Sequence, residues 1–97
     1  GITENLNRAL PADVDALVYR GGEDGPDWPM PPVIPYMVKA AGLILDEAYK
    51  TFNMGVGMSV ICAPEDRDEV EAKLREQGFE PFLMGECVAG HGEVAYK

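Results

Sequence analysis

The sequence predicts an α+β fold, an α/β sandwich in which a mixed four-stranded sheet is covered by helices in the order α-β-α-α-β-α-β-β. Three observations predict it. Stretches with the apolar spacing of a helix alternate with stretches of strand-like alternation. Met58 to Ala63 is apolar on both faces, the pattern of a central strand. Proline and glycine mark the junctions, at Pro11, Pro32, Gly42, Pro64, Gly78 and Gly90.

Each element follows from its residues. Thr3 is expected to cap a short helix over Glu4 to Leu10, which Pro11 stops. Val14 to Arg20 reads as a strand, with Val14, Ala16 and Val18 on one face and Asp15, Leu17 and Tyr19 on the other. Gly21 to Asp27 is a polar, glycine-rich loop, and Trp28-Pro29-Met30-Pro31-Pro32 behind it is stiffened by proline. Pro32 opens a helix to about Ala41, with Ile34, Met37, Val38 and Ala41 on one face and Gly42 just past its end. Asp46 is expected to cap a short helix ending near Asn53.

A glycine turn at Gly55 and Gly57 then leads into the Met58–Ala63 strand. Pro64 opens the next helix, acidic residues fill its first turn, and Gly78 closes it. Glu69–Lys73 and Glu71–Arg75 are i,i+4 pairs in the favourable orientation, and Val70 and Leu74 point to the core. Pro81 to Ala89 is a strand, and Gly90-His91-Gly92 is expected to turn it as a hairpin into a last strand over Glu93 to Lys97.

Composition excludes several functions. At 97 residues the chain is one domain at most, long enough for a single core. Its net charge of −9 argues against nonspecific binding to nucleic acid or to an anionic membrane. The same charge leaves any phosphate site dependent on backbone N–H groups or on a metal. No stretch approaches the ~20 apolar residues of a membrane span. The chain begins at Gly1 rather than methionine, which reads as a processed or cut start. Cys62 and Cys87 both sit in apolar runs and are expected to be buried, reduced thiols.

The Gly55/Gly57 pair lacks the GxGxxG spacing and precedes a strand, where a dinucleotide fingerprint follows one. Alone it reads as either a tight turn or a ligand-contacting loop. The single histidine, His91, lies between two glycines and is expected to be solvated rather than catalytic. Glu65 to Glu69 reads as helix-start charge, not as paired catalytic carboxylates. Trp28 is either a clamp on the core or an anchor for a ligand or partner.

Thr51-Phe52-Asn53-Met54-Gly55-Val56-Gly57-Met58, behind Asp46-Glu47-Ala48-Tyr49-Lys50, resembles the C-terminal region of the phosphoribosylformylglycinamidine cyclo-ligase (aminoimidazole ribonucleotide synthetase) family. Gly1 to Leu6, with Arg8, Leu10 and Pro11, resembles the end of that family's HITGGG stretch and the T-E-N segment after it. Trp28 to Val33 resembles its tryptophan-proline segment, and Gly85 to Val88 its I-G-x-V strand. The resemblance covers essentially the whole chain in order. It departs at Ile34-Pro35-Tyr36 and at Met84, and it begins at the last glycine of HITGGG.

The resemblance implies that residues 1–97 are most of the C-terminal domain of a two-domain, homodimeric, cytoplasmic enzyme whose N-terminal ATP-binding domain lies elsewhere. Such enzymes use ATP and Mg²⁺ to close the imidazole ring of formylglycinamidine ribonucleotide, giving aminoimidazole ribonucleotide, ADP and phosphate. An acidic piece alone is expected to be inactive, because phosphoryl transfer needs charge neutralisation. It is expected to supply a cleft wall, with Thr3, Glu4 and Asn5 at one helix start and Asn53, Gly55 and Gly57 at the other junction in phosphate- or substrate-binding roles. Two alternatives remain. One is another ATP-dependent enzyme of the same superfamily, like selenophosphate synthetase or thiamine-phosphate kinase. The other is a non-catalytic module that binds a partner through Trp28 and its prolines.

Overall fold

A computed structural model describes residues 1–21 and 28–97; the expected Gly22–Asp27 loop lies outside the described residues. Helix α1 spans Ile2–Ala9, strand β1 Val14–Val18, helix α2 Val33–Ala40 and helix α3 Leu45–Thr51. A single 3-10 turn, Pro64–Asp66, leads into helix α4, Arg67–Glu76, followed by strands β2, Gly85–Ala89, and β3, Val94–Tyr96.

The class is α+β, as expected, and the sheet is mixed. Among the described residues it has three strands rather than four, in the order β2-β1-β3. β1 pairs antiparallel with β2 (Val14↔Ala89) and parallel with β3 (Ala16↔Val94). The expected strand at Met58–Ala63 does not form. A strand apolar on both faces needs neighbours on both, yet Met58 is 85% exposed and Val60 and Ile61 are each about half exposed.

β2 and β3 are not a hairpin, because β1 lies between them. Their connection wraps the start of β1, held by the Asp15 carboxylate. Asp15 Oδ1 accepts the N–H of His91 at 2.7 Å and of Glu93 at 2.8 Å. These bonds, that from Glu93 foremost, hold the Asp15 carboxyl below its ordinary value of 3.8.

The core gathers Ile2 and Leu6 from α1, Val18 from β1, Trp28, Ile34 from α2, Ala48 and Tyr49 from α3, and Met54. Trp28 is 5% exposed. Its Nε1–H donates to the Met54 carbonyl at 2.9 Å, and its ring stacks on Phe82 and meets Tyr49 edge-on. Trp28 is therefore a clamp on the core, not a free anchor. Pro29 to Pro32 carry the chain from this clamp into α2, and Gly42 follows that helix at φ 67°.

Both expected helix caps are displaced. Gly1 is the N-cap of α1, so Thr3 falls inside the first turn, where its hydroxyl shares a 2.6 Å hydrogen bond with the Tyr96 hydroxyl. Ile44 is the N-cap of α3, and Glu47 reaches back to its N–H at 3.3 Å. Asp46 instead pairs with Arg20, whose hydrogen bond and charge hold its carboxyl below the usual range. Cys62 and Cys87 are both exposed, contrary to expectation. Cys62 lies on the uncovered Met58–Ala63 segment, and Cys87 at a solvent-facing position of β2.

In α4, Glu71 pairs with both Arg67 and Arg75. Val70 and Leu74 are only half-buried, and no residue of the helix is fully buried.

Candidate functional site

Two distant segments meet at one cleft. The start of α1 contributes Gly1, Ile2, Asn5 and Leu6, and the stretch after α3 contributes Asn53, Val56, Gly57 and Met58 to a cleft of about 630 Å³. The α1 side is placed by packing: Ile2 and Leu6 are buried, and a Cβ on Gly1 would stand 2.2 Å from the Lys50 carbonyl oxygen. The close approach of α1 and α3 that needs a glycine there also brings Asn5 near Asn53.

The far side is a turn built by its own sequence. Val56 N–H donates to the Asn53 carbonyl at 2.9 Å, closing the four residues 53–56. Both central residues have positive φ, Met54 at 53° and Gly55 at 88°, the pattern of a type I′ turn. The Asn53 side chain reinforces it, its Oδ1 accepting the Gly55 N–H at 2.9 Å. Met54 is fully buried and offers its carbonyl to Trp28. The turn is thus pinned from below while Asn53 and Gly57 remain exposed beside the cleft.

The six expected site residues fall in four places. Asn5, Asn53 and Gly57 line the cleft. The Asn5 amide spans two groups of its own helix, donating to the Gly1 carbonyl at 2.7 Å and accepting from Arg8 at 3.3 Å. Gly55 is not among the cleft-lining residues: a Cβ there would stand 2.8 Å from Pro31 Cδ, so this glycine serves packing as well as turn conformation. Thr3 lines a second recess of about 350 Å³ with Arg20, Asp46, Lys50, Val94 and Tyr96, and Glu4 lies exposed on α1. Burial pushes the Tyr96 phenol up, against the hydrogen bond with Thr3.

A profile for "AIR synthase related protein, C-terminal domain" matches residues 1–97. The chain belongs to this family. Its relatives carry the name phosphoribosylformylglycinamidine cyclo-ligase. One from Brevibacillus brevis is 38% identical over 96 residues, covering 99% of this chain and 26% of the relative. One from Neisseria meningitidis serogroup C is 40% identical over 85 residues, 88% of this chain and 23% of the relative. One from Alkaliphilus oremlandii is 35% identical over 94 residues, 97% of this chain and 26% of the relative. The chain spans about a quarter of the length of these relatives.

The donor set of this AIR synthase related domain does not by itself fit Mg²⁺ or a triphosphate. No charged side chain lines the larger cleft, and no group of three histidine, cysteine or carboxylate side chains lies close enough to hold a metal among the described residues. The side chains that line the cleft offer two primary amides, Asn5 and Asn53, and the Ser59 hydroxyl among apolar residues. The second recess, with Arg20 and Lys50, escaped sequence reasoning. Arg20, Lys50 and Tyr96 are spread over the chain, and only the tertiary fold brings them together. Among the described residues no helix is long and apolar enough to cross a membrane.

Proposed function

We propose that residues 1–97 are the C-terminal part of an ATP-dependent phosphoribosylformylglycinamidine cyclo-ligase. The parent closes the imidazole ring of formylglycinamidine ribonucleotide to give aminoimidazole ribonucleotide, ADP and phosphate. The observation that supports this best is the meeting of α1 and the Asn53–Met58 segment at one cleft. It occurs in a chain that aligns over nearly its whole length with relatives of that name.

In this proposal the chain forms one wall of the active cleft. Asn5, Asn53 and the Gly57 backbone orient substrate or its phosphate with neutral donors, and Gly55 holds the turn that presents them. Thr3 and Glu4 act from the neighbouring face of α1. Mg²⁺ and most ATP contacts fall to an N-terminal domain of a cytoplasmic, homodimeric parent, consistent with a cleft wall that carries no charged side chain. No proton-transfer step is assigned to this chain.

The test is turnover in the full-length protein. Aminoimidazole ribonucleotide is measured as a diazotisable amine and ADP by a coupled assay, each with ATP or substrate omitted as a control. Dependence on both is expected, and its absence refutes the proposal. The 97 residues alone are expected to give no turnover.

A further inference from the structure

The largest unexplained feature is the uncovered run from Gly57 to Ala63. Residues 57–69 are exposed without a break. No backbone–backbone hydrogen bond among the described residues involves residues 57–62. The run carries no Asp, Glu, Lys or Arg, although the chain as a whole has a net charge of −9. Within it Met58 is 85% exposed, Val60 53% and Ile61 51%. A patch of this kind marks an interaction surface, and a chain with unpaired amides and apolar side chains on both faces is a strand without its neighbours.

We propose that Gly57–Ala63 is completed as a sheet strand by polypeptide of the same parent chain lying upstream of Gly1, which pairs with its backbone and packs on Met58, Val60 and Ile61. This rests on reading the chain as the C-terminal part of a longer protein. About three quarters of the Brevibacillus brevis relative lies outside the matched region, so the relatives have ample chain to supply such a segment. An upstream segment on the same chain also acts at a high effective concentration. A second copy of this acidic chain would approach against a charge of −9 on each partner.

Hydrogen exchange on the full-length protein tests this. Amides 58–62 are expected to exchange at least about 100-fold slower than in an unstructured peptide. Exchange within about threefold of the unstructured rate overturns the proposal. The occupant is identified by photocrosslinking from Ser59→p-benzoylphenylalanine in a mixture of ¹⁴N and ¹⁵N chains. Isotopically pure crosslinks to peptides upstream of Gly1 are expected; mixed-isotope crosslinks, or crosslinks only within residues 1–97, overturn it. Turnover measured on the unsubstituted full-length protein used for hydrogen exchange keeps the two ideas apart. Activity with unprotected amides defeats the strand alone, and protected amides without activity defeat the cyclo-ligase assignment alone.

Discussion

Gly55→Ala and Gly57→Ala differ by two positions in sequence and are expected to behave oppositely. At Gly55, φ is 88°, and the added Cβ would stand 2.8 Å from Pro31 Cδ and 3.4 Å from Met30 Cα. A non-glycine residue in the left-handed region costs about 1–2 kcal/mol, and overpacking against a proline ring fixed between Met30 and Pro32 adds about 1–2 kcal/mol. The sum is a loss of about 2–4 kcal/mol. At Gly57 nothing lies within 4 Å of the added Cβ and φ is not in the left-handed region. There the loss of unfolded-state freedom is expected to stabilise by roughly 0–1 kcal/mol. Urea denaturation of the 97-residue chain, followed by Trp28 fluorescence, reads the difference directly, since the Trp28 indole donates to the Met54 carbonyl within the same turn. Gly55→Asn separates the two costs, because asparagine tolerates positive φ but carries the same Cβ. It is expected to fall between Gly55→Ala and wild type. Equal midpoints for Gly55→Ala and Gly57→Ala refute the account of the turn.

Asn53→Asp keeps the oxygen that accepts the Gly55 N–H but loses the amide donors and adds a negative charge beside the cleft. On the proposed cyclo-ligase reading, kcat/KM of the full-length protein is expected to fall about tenfold or more, as like charge meets a phosphorylated substrate, with little change in urea midpoint; unchanged kinetics remove Asn53 from the site. Trp28→Phe keeps an aromatic ring but leaves the Met54 carbonyl unpaired, at a cost of about 1–3 kcal/mol by circular dichroism; a loss below about 0.5 kcal/mol shows that the bond contributes little. The Asp15 carboxyl has a folded-state value depressed below 3.8, so its contribution is fully present above that pH and is lost as pH falls through the lower folded value. The stability gap between wild type and Asp15→Asn is therefore expected to be wider at pH 6 than at pH 2.5 in paired denaturation curves, and a gap independent of pH refutes it.

Local signals in the sequence located most elements because they act within a few residues. Pro11 ends α1, Pro64 begins the turn into α4, and Val14, Ala16 and Val18 define β1 by alternation. The errors lie where the outcome depends on distant residues. The Gly90–Gly92 connection has the composition of a hairpin, but the Asp15 carboxylate, 76 residues from His91, draws it across the end of β1. Thr3 and Asp46 have the side chains of helix caps, yet Tyr96 and Arg20 claim them at long range. Half of the cleft was legible as a glycine-containing junction. Its pairing with Asn5 came only from the family resemblance, because the close approach of Gly1 to the Lys50 carbonyl that joins the two segments is set by the tertiary fold.

The Met58–Ala63 segment differs from those errors. Its residues are strand-formers, and nothing among the described residues competes for them: the segment makes no alternative helix and buries none of its side chains. A strong local preference left unsatisfied normally opposes a well-defined fold. Here it is confined to one stretch and its flanks, while Ile2, Val18, Trp28, Tyr49 and Met54 close a core elsewhere. The boundary between the satisfied and unsatisfied parts passes through Gly57. Gly57 directly follows the type I′ turn that closes at Val56, and it lines the cleft together with Asn53. The Asn53 turn rests on the Trp28 hydrogen bond to the Met54 carbonyl, while Met58, Ser59 and Ile61, which also line the cleft, belong to the uncovered segment. Covering that segment would also cover residues that line the cleft, so, on the proposed cyclo-ligase reading, strand completion and substrate binding are expected to be energetically coupled in the full-length protein.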